Sequence, residues 1–218
     1  MAADIAAPSC CAEPATNDCR TGEDAERAQI PTLFLRDPDD MRRVSSDVHP
    51  DCQWVLDGEG TATRKYDGTC VMYDGERWWA RREVKPGRAT PAGYQPVMTD
   101  EVTGKTVGWE PVEQSSFATF HAEALDAIAD ADQFAGPQLG ATYELVGPKV
   151  NGNPEQVAGH QLIRHGFCTS GDDDELEKAP LDHDGLRAWL LAHPDWEGVV
   201  WHHPDGRMAK LKRRDFTL

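Results

Sequence analysis

Lys65, Asp67, Glu144, Glu197, Lys210 and Lys212 are the residues of this chain whose types and settings could do chemistry. Lys65 opens the tetrapeptide Lys65-Tyr66-Asp67-Gly68, just ahead of strand-forming residues and an Asp74-Gly75 pair. Lysine resists leaving water, so a lysine in this setting reads as a nucleophile. Attack on a phosphoryl centre needs a neutral amine, and an ordinary lysine pKa of about 10.4 has to be lowered by nearby cations or desolvation. The lysines of Lys210-Leu211-Lys212, together with a divalent metal, would supply such a field. Asp67 shares the Lys65 side of an extended backbone, where its carboxylate could hold a ribose hydroxyl or orient the lysine. Gly68 lets the backbone turn or approach a ligand closely.

Glu144 and Glu197 each lie at a strand with a glycine close by, where a carboxylate could grip a metal or a sugar. Carboxylate and phosphate oxygens together suit Mg²⁺ or Mn²⁺. On a period-two strand Lys210 and Lys212 share one face, so both could meet one phosphate. The combination suits a nucleoside triphosphate. Taken singly, each piece has a blander reading as chance, sheet core or solvated charge. Gly104-Lys105-Thr106 is no phosphate loop, because Thr99 stands where that motif needs its first glycine. His202 and His203, adjacent on a strand, point to opposite faces and cannot chelate one metal, so a structural or solvent role is expected.

The elements that must position these residues are short. A strand is predicted over Gln53–Leu56, a hairpin over residues 68–73 and 77–81 around Asp74-Gly75, and a second hairpin over 99–108 turning at Gly104. Helices are predicted over 117–131 and over 184–193, the latter capped by Asp182 and ended by Pro194. Further strands are expected at Thr142–Val146, Gly198–His202 and Met208–Lys212, and the acidic residues 172–175 read as a solvated loop. Without a steady βαβ rhythm, the fold class is α+β with mostly antiparallel sheet. Residues 1–29 lack apolar periodicity and are expected to be a disordered tail, with Asp24 to Gln29 as an alternative first helix, leaving 30–218 as one domain.

A net charge of −16 argues against sequence-blind attraction to nucleic acid or anionic membrane, although a local basic groove can still form. Arg81, Arg82, Lys85 and Arg88 make one basic cluster, and Lys210, Lys212, Arg213 and Arg214 another. The six cysteines form no Cys-x-x-Cys pair, so neither a zinc knuckle nor a disulfide framework is indicated. No apolar run approaches the roughly 20 residues of a membrane helix. The start lacks a secretory signal, so a cytoplasmic setting is the expectation.

In chain order, KYDG, WARR, YELVG, EGVV and KLK resemble the lysine-adenylating nucleotidyltransferases, which comprise ATP-dependent RNA and DNA ligases and capping guanylyltransferases. The strings GWEPVE, YELVGPKVNGNP, RHG and EGVVWHHPDG resemble more closely the compact 5′-to-3′ RNA ligases of the animal-type RNA ligase 1 family, from about residue 30 onward. The resemblance implies a ligase adenylation domain of mostly antiparallel sheets flanked by helices. It also implies no C-terminal oligonucleotide-binding barrel, since six residues follow Lys212. On this likeness Lys65 forms a lysine–AMP bond and Asp67 orients it or the ribose, while Arg81 meets the nucleotide sugar or incoming phosphate. Glu144 contacts ribose, Glu197 binds metal with Glu144 as a second candidate, and Lys210 and Lys212 neutralise the α-phosphate. Phe167 or His165 would stack on adenine, Gly68 would lie at the ATP site, and Arg82, Lys85 and Arg88 would hold RNA. The implied co-substrate is ATP with Mg²⁺ or Mn²⁺, the implied partners are 5′-phosphate and 3′-hydroxyl RNA ends, and no obligate protein partner is evident. Two rivals stand beside this reading: a capping-type transferase with another acceptor, and an inactive ATP- or RNA-binding module.

Overall fold

The computed structural model describes residues 30–129, 136–167 and 171–217, so the expectations for residues 1–29 lie outside the described residues. In chain order the elements are β1 (Phe34–Arg36), β2 (Val44–Val48), α1 (Gln53–Leu56), β3 (Thr61–Lys65), β4 (Thr69–Tyr73), β5 (Trp78–Val84), β6 (Gln95–Thr99) and β7 (Thr106–Pro111). There follow α2 (Ala118–Ala129), β8 (Thr142–Val146), β9 (Gln161–Arg164), α3 (Asp172–Leu176), α4 (His183–Ala192), β10 (Gly198–His202) and β11 (Met208–Lys212). Beside the β1-β2 ribbon stand a three-stranded sheet ordered β11-β10-β3 and a six-stranded sheet ordered β6-β7-β5-β4-β8-β9. The paired strands named here are all antiparallel, which makes the fold α+β.

Period-two alternation sorts the three-stranded sheet. Val199, Trp201, Ala209 and Leu211 turn inward and join Leu186 and Leu190 of α4 and Trp54 and Val55 of α1 in one buried cluster. On the six-stranded sheet, Val71, Ala80 and Tyr143 pack toward Leu125 of α2, and Leu145 packs with Ala124. The remaining face of each sheet contributes to a cleft of about 310 Å³ between them.

Both hairpins form as expected. Asp74 closes the first by accepting from the Glu76 and Arg77 amides at 2.9 and 2.8 Å, and Gly104 occupies the left-handed region in the second. Helix α4 is capped as expected by Asp182, whose carboxylate accepts from the Gly185 amide at 2.9 Å.

Two expectations are corrected. Gln53–Leu56 is a helical turn, not a strand: His49 caps the preceding turn, and Trp54 donates its indole N–H to the Asp51 carbonyl at 2.9 Å. The acidic residues 172–175 begin α3 rather than a loop. Four carboxylates in one first turn complement its exposed amides, and Leu176 anchors the other end in the core.

Candidate functional site

The strand register builds the site's centre. Gly198, at the start of β10, pairs with Lys65 at the end of β3 and with Lys212 at the end of β11. The two lysines therefore flank a residue with no side chain. A Cβ at Gly198 would lie 2.1 Å from the Leu211 carbonyl oxygen, so this row tolerates nothing larger. The preceding Glu197 receives both ammonium groups, Lys65 Nζ at 2.5 Å on one oxygen and Lys212 Nζ at 2.6 Å on the other. Burial pushes the Glu197 carboxyl up, but Lys65 and Lys212 outweigh it and hold its pKa below the ordinary carboxylate value.

Lys210 sits two residues back on the same face of β11 and lines the cleft. Among the described residues its ammonium has no ion-pair partner. Burial, reinforced by the charges of Lys212 and Lys65, lowers its pKa to about 8. A half-buried cation held in no ion pair is a natural place for an anion to bind. Lys210 and Lys212 share a face as expected, but Lys212 is committed to Glu197 while Lys210 lines the cleft.

The six-stranded sheet supplies the opposite wall with Cys70, Arg81, Thr142 and Glu144. Arg81 lies over the Trp109 ring across β5 and β7, 5.7 Å from its centroid. Glu144 accepts from the Gly68 amide at 2.9 Å, and its other oxygen lies 2.9 Å from His165 Nε2. Phe167 also lines the cleft, half exposed, with the Arg164 guanidinium 3.9 Å above its ring. His165 and Phe167, both weighed as the stacking residue, are thus at the cleft, and His165 is already bonded to Glu144 and Thr142.

Asp67 and Gly68 are held aside from the cleft. Gly68 makes its close approach to β8 rather than to open space, since a Cβ there would fall 2.2 Å from the Leu145 carbonyl oxygen. The Asn151 amide donates to Asp67 Oδ1 at 2.9 Å and to the Gly68 carbonyl at 2.7 Å. Glu155 accepts from the Asp67 amide at 2.8 Å and from Arg64 at 2.6 Å. Burial raises the Glu155 pKa despite those two donors. Sequence reasoning gave Asn151 and Glu155 no role. Their one signal was the Val-Asn-Gly-Asn-Pro-Glu string, whose Asn151 and Asn153 do adopt left-handed backbone.

The basic cluster is not one patch. Arg81 and Arg82 are neighbours on β5, so their side chains leave opposite faces of the sheet, and Arg81 alone of the four lines the cleft. Arg82 lies 3.9 Å from buried Glu110, and exposed Lys85 and Arg88 belong to the turn that follows β5. His202 and His203 take opposite faces as expected. His202 lines the cleft, and His203 bonds Glu59 and Asp205 outside it.

No cluster of three or more His, Cys, Asp or Glu side chains stands ready for a metal among the described residues. Glu197 nonetheless fits a dication that arrives on phosphate oxygens, because Mg²⁺ commonly takes one or two carboxylates plus substrate phosphates and water. Among the described residues no helix is long and apolar enough to cross a membrane.

Comparison with known proteins bears on this arrangement. A family model described as RNA ligase 1 matches residues 137–218, the portion that carries Glu144, Glu197, Lys210 and Lys212. RNA ligase 1 of Rattus norvegicus is 25% identical over 219 residues, covering 72% of this chain and 67% of the relative. The Mus musculus protein of the same name gives the same identity and coverage. RNA ligase 1 of Danio rerio is 22% identical over 241 residues, covering 80% of this chain and 70% of its own.

Proposed function

We propose that the chain is a member of the RNA ligase 1 family, whose model matches residues 137–218 and whose rat and mouse members are 25% identical to it, and that it is an ATP-dependent RNA ligase. It joins 5′-phosphate and 3′-hydroxyl RNA ends through a covalent lysine–AMP and an adenylylated RNA end. The observation that carries this reading is the row of Lys65, Gly198 and Lys212 in register across three strands, with Glu197 between the two ammonium groups. The adjoining cleft presents Lys210, which makes no ion pair among the described residues, to whatever enters.

In the resting protein Glu197 stores Lys65 as a hydrogen-bonded ammonium. A triphosphate entering beside Lys210 competes for Lys65 and Lys212, and Lys65 gives up a proton to solvent. Its Nζ then bonds to the α-phosphorus as the bond to the bridging oxygen breaks, and pyrophosphate leaves. An oxygen of the RNA 5′-phosphate next attacks that phosphorus; the P–N bond breaks, and the amine regains a proton. Finally the 3′-hydroxyl loses its proton, bonds to the 5′-phosphate and expels AMP. Lys210 and Lys212 oppose the charge that builds on the phosphoryl oxygens, and Arg81 stands on the facing wall to steer the incoming phosphate. Glu197, with Glu144 as the second carboxylate, would hold Mg²⁺ or Mn²⁺, whose charge would be supplied to the phosphate oxygens. The exposed Arg82, Lys85 and Arg88 are the proposed contacts for the RNA beyond its ends.

Incubation with α-labelled ATP and Mg²⁺ is expected to leave label on the protein, and chase with 5′-phosphorylated RNA is expected to pass it to the RNA and then seal the strand. Lys65→Ala abolishes labelling on this reading. Label retained by that variant overturns it.

A further inference from the structure

Resting on the nucleotide reading above, we propose that His202 selects the base of the nucleotide by presenting an unprotonated ring nitrogen, Nδ1, to the six-position of a purine, accepting from an amino group and rejecting a carbonyl. The argument is one of hydrogen-bond direction. Thr63 Oγ1 lies 3.3 Å from the Val200 carbonyl oxygen and 3.0 Å from His202 Nε2. The Thr63 hydroxyl donates its single proton to the Val200 carbonyl, which leaves only its oxygen to meet the imidazole. The hydroxyl oxygen then accepts from His202, which places the imidazole proton on Nε2. A neutral ring protonated there carries a lone pair on Nδ1.

Two features keep that lone pair available. Burial, with the nearby His165 charge, lowers the His202 pKa to about 4, so the ring is neutral at physiological pH. No described residue bonds to Nδ1. Gly166 neighbours that edge, where even a Cβ would stand 3.8 Å from Nδ1.

Position agrees with direction. His202 shares the cleft-facing side of β10 with Val200 and lies four residues from Gly198, where the phosphate chemistry is placed. At about 3.3 Å per residue the separation along the strand is about 13 Å, on the order of a nucleoside monophosphate's length. Ile30, Cys70, Val200 and Met208 supply apolar lining for a flat ring. Thr63 is 2% exposed, so its part is to fix the tautomer rather than to touch the ligand.

The test measures equilibrium binding to the full chain by calorimetry in EDTA, where no group transfer is needed. The ligands are ATP, purine riboside 5′-triphosphate, which has hydrogen at position six, and GTP, which has oxygen there. ATP is expected to bind about tenfold more tightly than the purine riboside compound and at least about 30-fold more tightly than GTP. His202→Ala should bring ATP and the purine riboside compound within about threefold of each other. Thr63→Val, which leaves the imidazole without its directing hydroxyl, should narrow the same ratio, and it serves as the deciding variant if His202→Ala does not fold. Equal binding of all three by the unaltered chain, tighter binding of GTP, or an unchanged ratio in the variants overturns the proposal while leaving the nucleotide reading standing. Binding of none of the three sinks both.

Discussion

The two walls of the cleft are built on different principles. In the three-stranded sheet, β10 pairs with β3 and β11 over five positions each without a register shift, so the pleat itself carries the chemistry. One face takes Val199, Trp201, Ala209 and Leu211 into the core, and the other face presents Lys65, Lys210 and Lys212. In the six-stranded sheet the wall is assembled from single residues on separate strands: Cys70 on β4, Arg81 on β5 and Glu144 on β8. Its β6-β7 pairing is irregular between Pro96 and Met98. The first wall fixes charges by register and the second by individual contacts, so a substitution should cost most where three strands converge on one row.

The largest effect after loss of Lys65 itself is expected at Glu197. Glu197→Ala leaves two ammonium groups side by side without the carboxylate that receives both, and self-labelling should fall by about 10²- to 10³-fold. Glu144→Gln, on the individually assembled wall, should cost about tenfold, because the amide oxygen still accepts from the Gly68 amide. Equal losses in both variants, measured as initial labelling rates with α-labelled ATP, would erase the distinction between the walls.

A middle-sized effect is expected at Glu155, which belongs to neither sheet yet holds the segment that follows the nucleophile. Glu155→Gln keeps an acceptor for the Asp67 amide but removes the charge opposite Arg64. It should lower kcat for self-labelling about three- to tenfold with the KM for ATP unchanged. Glu155→Ala removes both contacts and should cost about tenfold more. A change confined to KM would make Glu155 a ligand contact instead of a positioning residue.

What could be read from the sequence follows the same division. Strands β10 and β11 were legible to the residue, because alternation of Val, Trp, Ala and Leu with Lys and His declares both a strand and its buried face. The shared face of Lys210 and Lys212 followed from that period. Gln53–Leu56 was misread because four apolar-rich residues fit a strand or a helical turn equally well, and the period-two pattern says nothing of the local bond from the Trp54 indole to the Asp51 carbonyl that accompanies the turn. The acids of 172–175 looked like solvated charge, and the buried Leu176 that makes them a helix start is a single residue. Asn151 and Glu155 left no periodic trace, since they act across 84 and 88 residues of chain on Asp67. The bonds of Lys65 and Lys212 to Glu197 lay beyond sequence for a related reason: register sets which charges meet, and only the paired strands fix register.

The smallest effect at neutral pH, and the sharpest on titration, belongs to Lys210. Its pKa of about 8 means that the free protein carries this charge below pH 8 and sheds it above. A bound polyphosphate favours the protonated form, so ATP binding above pH 8 must draw a proton, and affinity should fall by up to tenfold per unit from about pH 8 upward. Lys210→Arg keeps its charge across that range. The variant and the unaltered chain should therefore differ by less than about threefold at pH 7, while near pH 9.5 the variant should hold ATP about tenfold more tightly. Calorimetry in two buffers of different ionisation enthalpy would register the proton taken up by the unaltered chain and not by the variant. Parallel affinity profiles would mean that the phosphate chain lies against the Glu197 row alone, and the register wall would then end at Gly198 instead of extending to Lys210.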